Sequence, residues 1–193
     1  MSLGKQAKTL TRPQVEALLG YIKSTRYAHR NRVICLLSAR AGLRAHEIAH
    51  LTWGMASEAD GMIADAIRLE DRASKGRSGR IVPMKVELRE ALQLWRTEQD
   101  PRSEYVVSTE RSLRSSPQAV VNMFFRWYSD LGLIGCSSHS GRRTFITNAA
   151  RKISTVGGSL RDVKMLAGHS DLRTTQRYIE GEAEAQRRIV ELI

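Results

Sequence analysis

Cysteine is scarce in this chain: Cys35 and Cys136 are the only two. Neither stands in a metal-ligand spacing, which excludes a zinc ribbon or a disulfide framework. Cys35 lies inside an apolar run and reads as a small buried hydrophobe in a reducing, cytoplasmic setting. No apolar stretch approaches the roughly 18 residues of a membrane span. The segment Met1-Ser2-Leu3-Gly4-Lys5 lacks the apolar block of a secretory leader. Internal repeats, low-complexity tracts and linkers are also missing, which argues against a solenoid or a string of small domains. Acidic residues are in deficit, 20 against 31 Lys and Arg, for a formal charge of +11. That balance draws polyanions toward the molecule. What remains is apolar to 41%, enough for a packed core.

The pattern predicts a mainly α chain with a small antiparallel sheet, an α+β class. Residues 1–10 read as a tail. Thr11-Arg12-Pro13-Gln14 opens a helix with a capping box, and Val15, Leu18, Leu19 and Ile22 follow at helical spacing. A second helix is predicted from about Asn31 to Ala41, stopped by Gly42, and a short one from Ala45 to His50. Residues 62–83 read as a small sheet with a basic hairpin tip, Ser74-Lys75-Gly76-Arg77-Ser78-Gly79. Leu88, Ala91, Leu92 and Trp95 mark another helix, and Tyr105-Val106-Val107 a short strand. Ser116-Pro117 begins a long helix with Val121, Phe124, Phe125 and Tyr128 on one face, ending at Gly132. Trp53 and the Phe124–Phe125 pair read as core. A helix starts near Ser140, another is boxed by Ser159 and Asp162, and one more begins after Ser170 as cap. Residues 181–193 are helical in pattern, with Ala185, Ile189 and Leu192 on one stripe.

Two short segments concentrate chemistry. In His139-Ser140-Gly141-Arg142 the histidine and the arginine share one helix face, beside backbone amides that favour an anion. Taken alone, such a pair is an ordinary helix start. Leu166-Ala167-Gly168-His169-Ser170-Asp171 places a second histidine on a turn, followed by Tyr178 with Arg177 before it and Glu180 two residues beyond. Together these residues can hold a phosphodiester, neutralise it and attack it, with no metal or cofactor motif required.

With Ala41-Gly42-Leu43-Arg44-Ala45-His46-Glu47-Ile48 added, the three segments closely resemble the tyrosine recombinases, the phage-integrase family, in order and separation. The resemblance runs from about Thr11 to Tyr178, and the block 11–180 is identified with that family's catalytic domain. It implies that Tyr178 is a nucleophile forming a 3′-phosphotyrosyl bond with DNA. Arg44 and Arg142 would clamp the phosphate, and His169 would hydrogen-bond to it. His139 would help accept the phenolic proton. Lys75 matches a hairpin lysine that protonates the leaving 5′-oxygen, although a plain phosphate contact stays open. Glu47 matches an acidic position that orients the site, although pairing with Arg44 or capping a helix stays open. Arg77, Arg80, Arg143 and Arg177 are candidate DNA contacts, and His46 and His50 read as surface or packing residues. The resemblance implies double-stranded DNA as partner, no cofactor or metal, no membrane, and a tetramer on DNA with a monomer free in solution.

Three departures qualify it. Arg143 stands where many members carry a second histidine, and Gly141 where a leucine is common, which would loosen the helix start. Only about ten residues precede the first helix, so the expectation is that the family's additional N-terminal domain is lacking. A shortened chain and a single-domain member like the small recombinases that invert fimbrial promoter DNA both fit. The terminal stripe fits packing on a neighbouring subunit and folding back equally. A cleavage-inactive DNA-binding regulator and a type IB topoisomerase remain the rival readings.

Overall fold

The structure is a computed structural model, and it describes residues 7–74, 79–178, 190, 191 and 193. Helix α1 (Arg12–Ile22) carries the capping box predicted at Thr11, with Val15, Leu18, Leu19 and Ile22 buried. The chain ahead of it is already part of the fold. Leu10 is buried and its amide donates to Thr144 Oγ1 at 2.7 Å, while the Lys8 amide donates to the Gly135 carbonyl. The tail predicted over 1–10 therefore gives way to packed structure before Thr11.

Helix α2 (Ala28–Ala39) is buried along nearly its whole length and forms the spine. Helix α5 (Val86–Glu98) and helix α7 (Ser140–Lys152) both pack on it. Short helices α3 (Ala45–His50) and α4 (Trp53–Ala56) follow α2, and helix α6 (Pro117–Asp130) covers α3. The buried face of α6 is Val120, Phe124, Trp127 and Tyr128; Phe125 is 71% exposed, so the predicted Phe124–Phe125 core pair is half wrong. Both stripes satisfy helical spacing, and α3 fits only the first.

Strands β1 (Ala66–Leu69) and β2 (Arg80–Pro83) form an antiparallel pair in which Ile67 faces Val82 and Leu69 faces Arg80. Ile63 and Tyr105 make only isolated bridges, to Ser57 and Thr52, in place of the longer strands expected. The hairpin tip, with Lys75 and Arg77, lies outside the described residues. Its base is tied down, because His46 Nδ1 contacts the Ala73 carbonyl at 3.2 Å and the Gly79 amide donates to Asp71 Oδ1 at 2.9 Å. Helix α8 (Leu160–Ala167) has the predicted Ser159–Asp162 box, and α9 (Leu172–Gln176) is capped by Asp171, one residue beyond the expected Ser170. A small second cluster of Ile146, Ala150, Val163 and Ala167 joins α7 to α8. The stripe Ala185, Ile189 and Leu192 lies outside the described residues.

Candidate active site

Two positive-φ glycines shape the backbone on which the site is built. Gly42 (φ 68°) turns the chain from α2 into α3, and a Cβ there would collide with the Phe145 ring. Gly168 (φ 60°) ends α8, and a Cβ there would meet Arg80 Nη1 at 2.7 Å. Only glycine takes both the left-handed conformation and the close approach at low cost.

Those turns leave carbonyls free, and the arginines use them. Arg142, on the first turn of α7, is 3% exposed. Its Nη1 donates to the Gly42 carbonyl at 2.5 Å and its Nη2 to the Ala167 carbonyl at 2.6 Å. Arg44 caps α3, donating through Nη2 to the Gly168 carbonyl at 3.3 Å and through Nη1 to Glu47 Oε1 at 2.7 Å. The two guanidiniums thus converge from opposite ends of the sequence on one strip of backbone.

Glu47 is the hub beneath them, with no exposed surface. Its Oε2 accepts the Arg44 amide at 2.8 Å, and Arg80 donates to both its oxygens at 2.9 and 3.0 Å. Burial pushes its carboxyl up. The hydrogen bonds and charge of Arg80 and then Arg44 outweigh that and hold it at about 2. Glu47 therefore does both things left open for it, pairing with Arg44 and capping α3. Arg80 departs from the expectation of a DNA contact. Its side chain is 6% exposed and turned inward, with Nε donating to the Leu166 carbonyl at 2.8 Å. The Glu47 carboxylate and the Leu166 carbonyl accept from its buried donors, which would otherwise be left unsatisfied.

His169, on the turn after α8, stacks on the Tyr178 ring with centroids 5.6 Å apart and planes at 23°. Its Nδ1 lies 3.0 Å from Oγ1 of buried Thr175. Burial first, then Arg142 and Arg44, push its imidazole down to about 4, so the ring is neutral at pH 7. Desolvation and the same two arginines also lower His139, which precedes α7. Burial, then the charge of Arg44, push Arg142 down to about 9. The two cations repel, and the Glu47 carboxylate beneath them offsets part of that cost.

His139, Arg142, Arg143, Thr174, Arg177 and Tyr178 line one cavity of about 390 Å³. Arg44, Arg80, Gly168 and His169 line an adjoining groove that shares Thr174. Of the six principal site residues expected from sequence, five come together here, and Lys75 lies outside the described residues, as does Arg77. Thr175 was missed. Nothing in sequence marks a buried threonine on a short helix as a histidine's partner. Among the described residues no group of three or more His, Cys, Asp or Glu side chains could hold a metal ion. Nor is any helix among them long and apolar enough to cross a membrane.

The chain matches the phage integrase family over residues 8–184. It is 30% identical over 186 residues to the tyrosine recombinase XerA of Thermococcus kodakarensis, covering 95% of this chain and 62% of that protein. It is 30% identical over 176 residues to XerC of Pseudomonas fluorescens (strain Pf0-1), covering 89% of this chain and 55% of that one. The chain thus spans little more than half of these relatives' length. A crystal structure of XerA recombinase superposes with a TM-score of 0.75 at 23% identity, over 95% of this chain and 64% of that one. A post-cleavage complex of XerH with a palindromic difH substrate gives 0.74 at 19% identity, over 98% and 54%. The fold, the three segments and the family match agree, and the chain belongs to the phage integrase family.

Proposed function

We propose that the chain is the strand-cleaving domain of a tyrosine-type, site-specific DNA recombinase. One observation carries this reading: Arg44 and Arg142 are pinned to the same backbone strip beside His169, and Tyr178 stacks on that histidine. In this reading a DNA phosphate lies between the two guanidiniums. Each offers planar donors suited to non-bridging oxygens, and pre-placed cations stabilise the charge that grows in the crowded transition state. The Tyr178 hydroxyl attacks phosphorus, a Tyr–O–P bond forms, and the bond from phosphorus to the 5′-oxygen breaks. His139, kept neutral by its surroundings, takes the phenolic proton. Lys75 delivers a proton to the departing 5′-oxygen. His169 donates from Nε2 to the phosphate if the Thr175 hydroxyl donates to Nδ1, a tautomer that a neutral ring allows.

The arginines supply the positive charge, so the reading calls for no metal. The phosphotyrosyl bond conserves the energy of the broken linkage, so rejoining calls for no ATP. Double-stranded DNA is the partner, Arg177 and Arg143 stand near its path, and exchange between two duplexes brings four copies together. Localisation follows the DNA, in the cytoplasm.

The test is covalent capture. A pool of nicked suicide duplexes with randomised cores is incubated with the protein, and adducts are resolved on a denaturing gel. The expected result is a protein–DNA adduct that Tyr178→Phe abolishes. No adduct from any duplex sinks the cleavage reading in favour of a DNA-binding regulator. An adduct that survives Tyr178→Phe reassigns the nucleophile. Relaxation of arbitrary supercoiled plasmid without exchange moves the activity to the type IB topoisomerases.

A further inference from the structure

We infer that Arg143 positions the nucleophile: its guanidinium packs against the Tyr178 ring and favours the attacking phenolate over the resting phenol. This rests on the reading of Tyr178 as nucleophile.

The guanidinium carbon of Arg143 lies 5.8 Å from the centroid of the Tyr178 ring, within cation–π range. Tyr178 needs such a hold. It follows α9, a helix of five residues, and its backbone is tied by an amide donating to the Thr175 carbonyl at 3.0 Å. A helix that short has little stability of its own. The ring is held instead by contacts from elsewhere: it packs against the cluster of Ile146, Ala150, Val163 and Ala167, His169 stacks on it, and Arg143 sets its cation over it. Arg143 is well anchored for this, because its amide donates to the His139 carbonyl at 2.8 Å in the same turn that sets His139 and Arg142.

The contact also has the right chemical sense. When Tyr178 loses its proton, negative charge spreads from the oxygen into the ring. A cation against that ring then gains more than it had from the neutral phenol, so it stabilises the attacking state selectively. Arginine keeps its charge at any working pH, whereas a histidine in its place carries one only below roughly 6.5. Among the described residues, the other ionisable groups facing Tyr178 are His139 and Arg142 at the start of α7, Arg177 beside it, and His169 from the turn after α8. Arg143 is the one among them whose guanidinium lies over the ring.

Single-turnover adduct formation, measured on a captured suicide duplex across DNA concentration, separates this role from a grip on the DNA backbone. With Arg143→Gln the rate at saturating DNA is expected to fall roughly three- to thirtyfold, and Arg143→Lys should recover most of it. In Arg143→His the saturating rate, relative to wild type at each pH, should decline as pH rises from about 5.5 to about 8. If the Gln variant changes only the half-saturating DNA concentration, Arg143 is a backbone contact and the inference is overturned. A His variant whose profile runs parallel to wild type overturns it too. Failure of the underlying reading looks different: wild type itself then forms no adduct, or Tyr178→Phe still does.

Discussion

At the scale of single residues, burial and nearby arginines lower both histidines, and backbone carbonyls fix the arginines. Thr175 is the least conspicuous participant. Its hydroxyl is the partner of His169 Nδ1, and removing it frees the ring to turn. Thr175→Val keeps the volume and removes the hydrogen bond, worth about 1 kcal/mol. Adduct formation at saturating DNA should slow about fivefold, with DNA affinity unchanged. Equal rates for the variant and wild type would show that the hydroxyl does not hold the ring.

The same residues set a pH signature of stability. His169 titrates near 6.5 when unfolded and at about 4 in the fold, so the unfolded chain binds more protons between those values. Stability from the neutral ring is thus complete above about 6.5 and is lost as pH falls toward 4. Glu47 behaves likewise at lower pH. Its depressed carboxyl contributes fully above about 4.3, and that contribution disappears as pH falls to about 2. Thermal melting midpoints should fall across both windows. His169→Gln should flatten the upper one and leave the lower intact, and parallel curves would contradict the assignment.

At the scale of elements, the sequence carried the helix starts well. The boxes at Thr11 and Ser159 and the glycine stops at 42 and 168 are local hydrogen-bonding and steric rules, so they are legible from a few residues. Which stripe of a helix faces inward was less legible. Val121, Phe124, Phe125 and Tyr128 obey helical spacing as well as the observed face does, and only docking on α3 excludes Phe125. Gly141 shows the same limit. It was expected to loosen the start of α7, but it allows that helix to lie directly on α2. A Cβ at Gly141 would run into Ser38, with Ser38 Cβ at 3.1 Å and the Ala39 amide at 3.3 Å. Gly141→Leu should therefore cost about 1–3 kcal/mol or more, read as a lower urea midpoint. Ser38→Gly in the same chain should restore part of it. An unchanged midpoint in the single variant would mean that the two helices separate freely.

At the scale of the whole molecule, under the proposed function, the formal charge of +11 is the property that would meet DNA first. It would raise the encounter rate and make binding depend on released counterions. If the chain contacts six or more phosphates, affinity for a duplex should drop roughly a thousandfold between 50 and 200 mM salt. Fluorescence anisotropy across a salt series measures this, and a shallow slope would place binding on few ionic contacts. Charge alone does not say which arginines touch DNA. Arg80 belongs to a basic stretch in sequence, yet it lies inside, beneath Arg44, with Glu47 between them.

The sequence by itself determined the helical class, the small sheet and the identity of Arg44, Glu47, His139, Arg142, His169 and Tyr178 as one constellation. Those features depend on short-range patterns and on fixed residue types in a fixed order. Only the tertiary structure decided which basic side chains are structural, which threonine holds His169, how Gly141 seats α7 and what lies against the Tyr178 ring. Each of those depends on groups distant in sequence brought within a few ångströms, such as the 5.8 Å between Arg143 and Tyr178. Burial and electrostatic pairing at that range are properties of the packed molecule, and no local pattern encodes them.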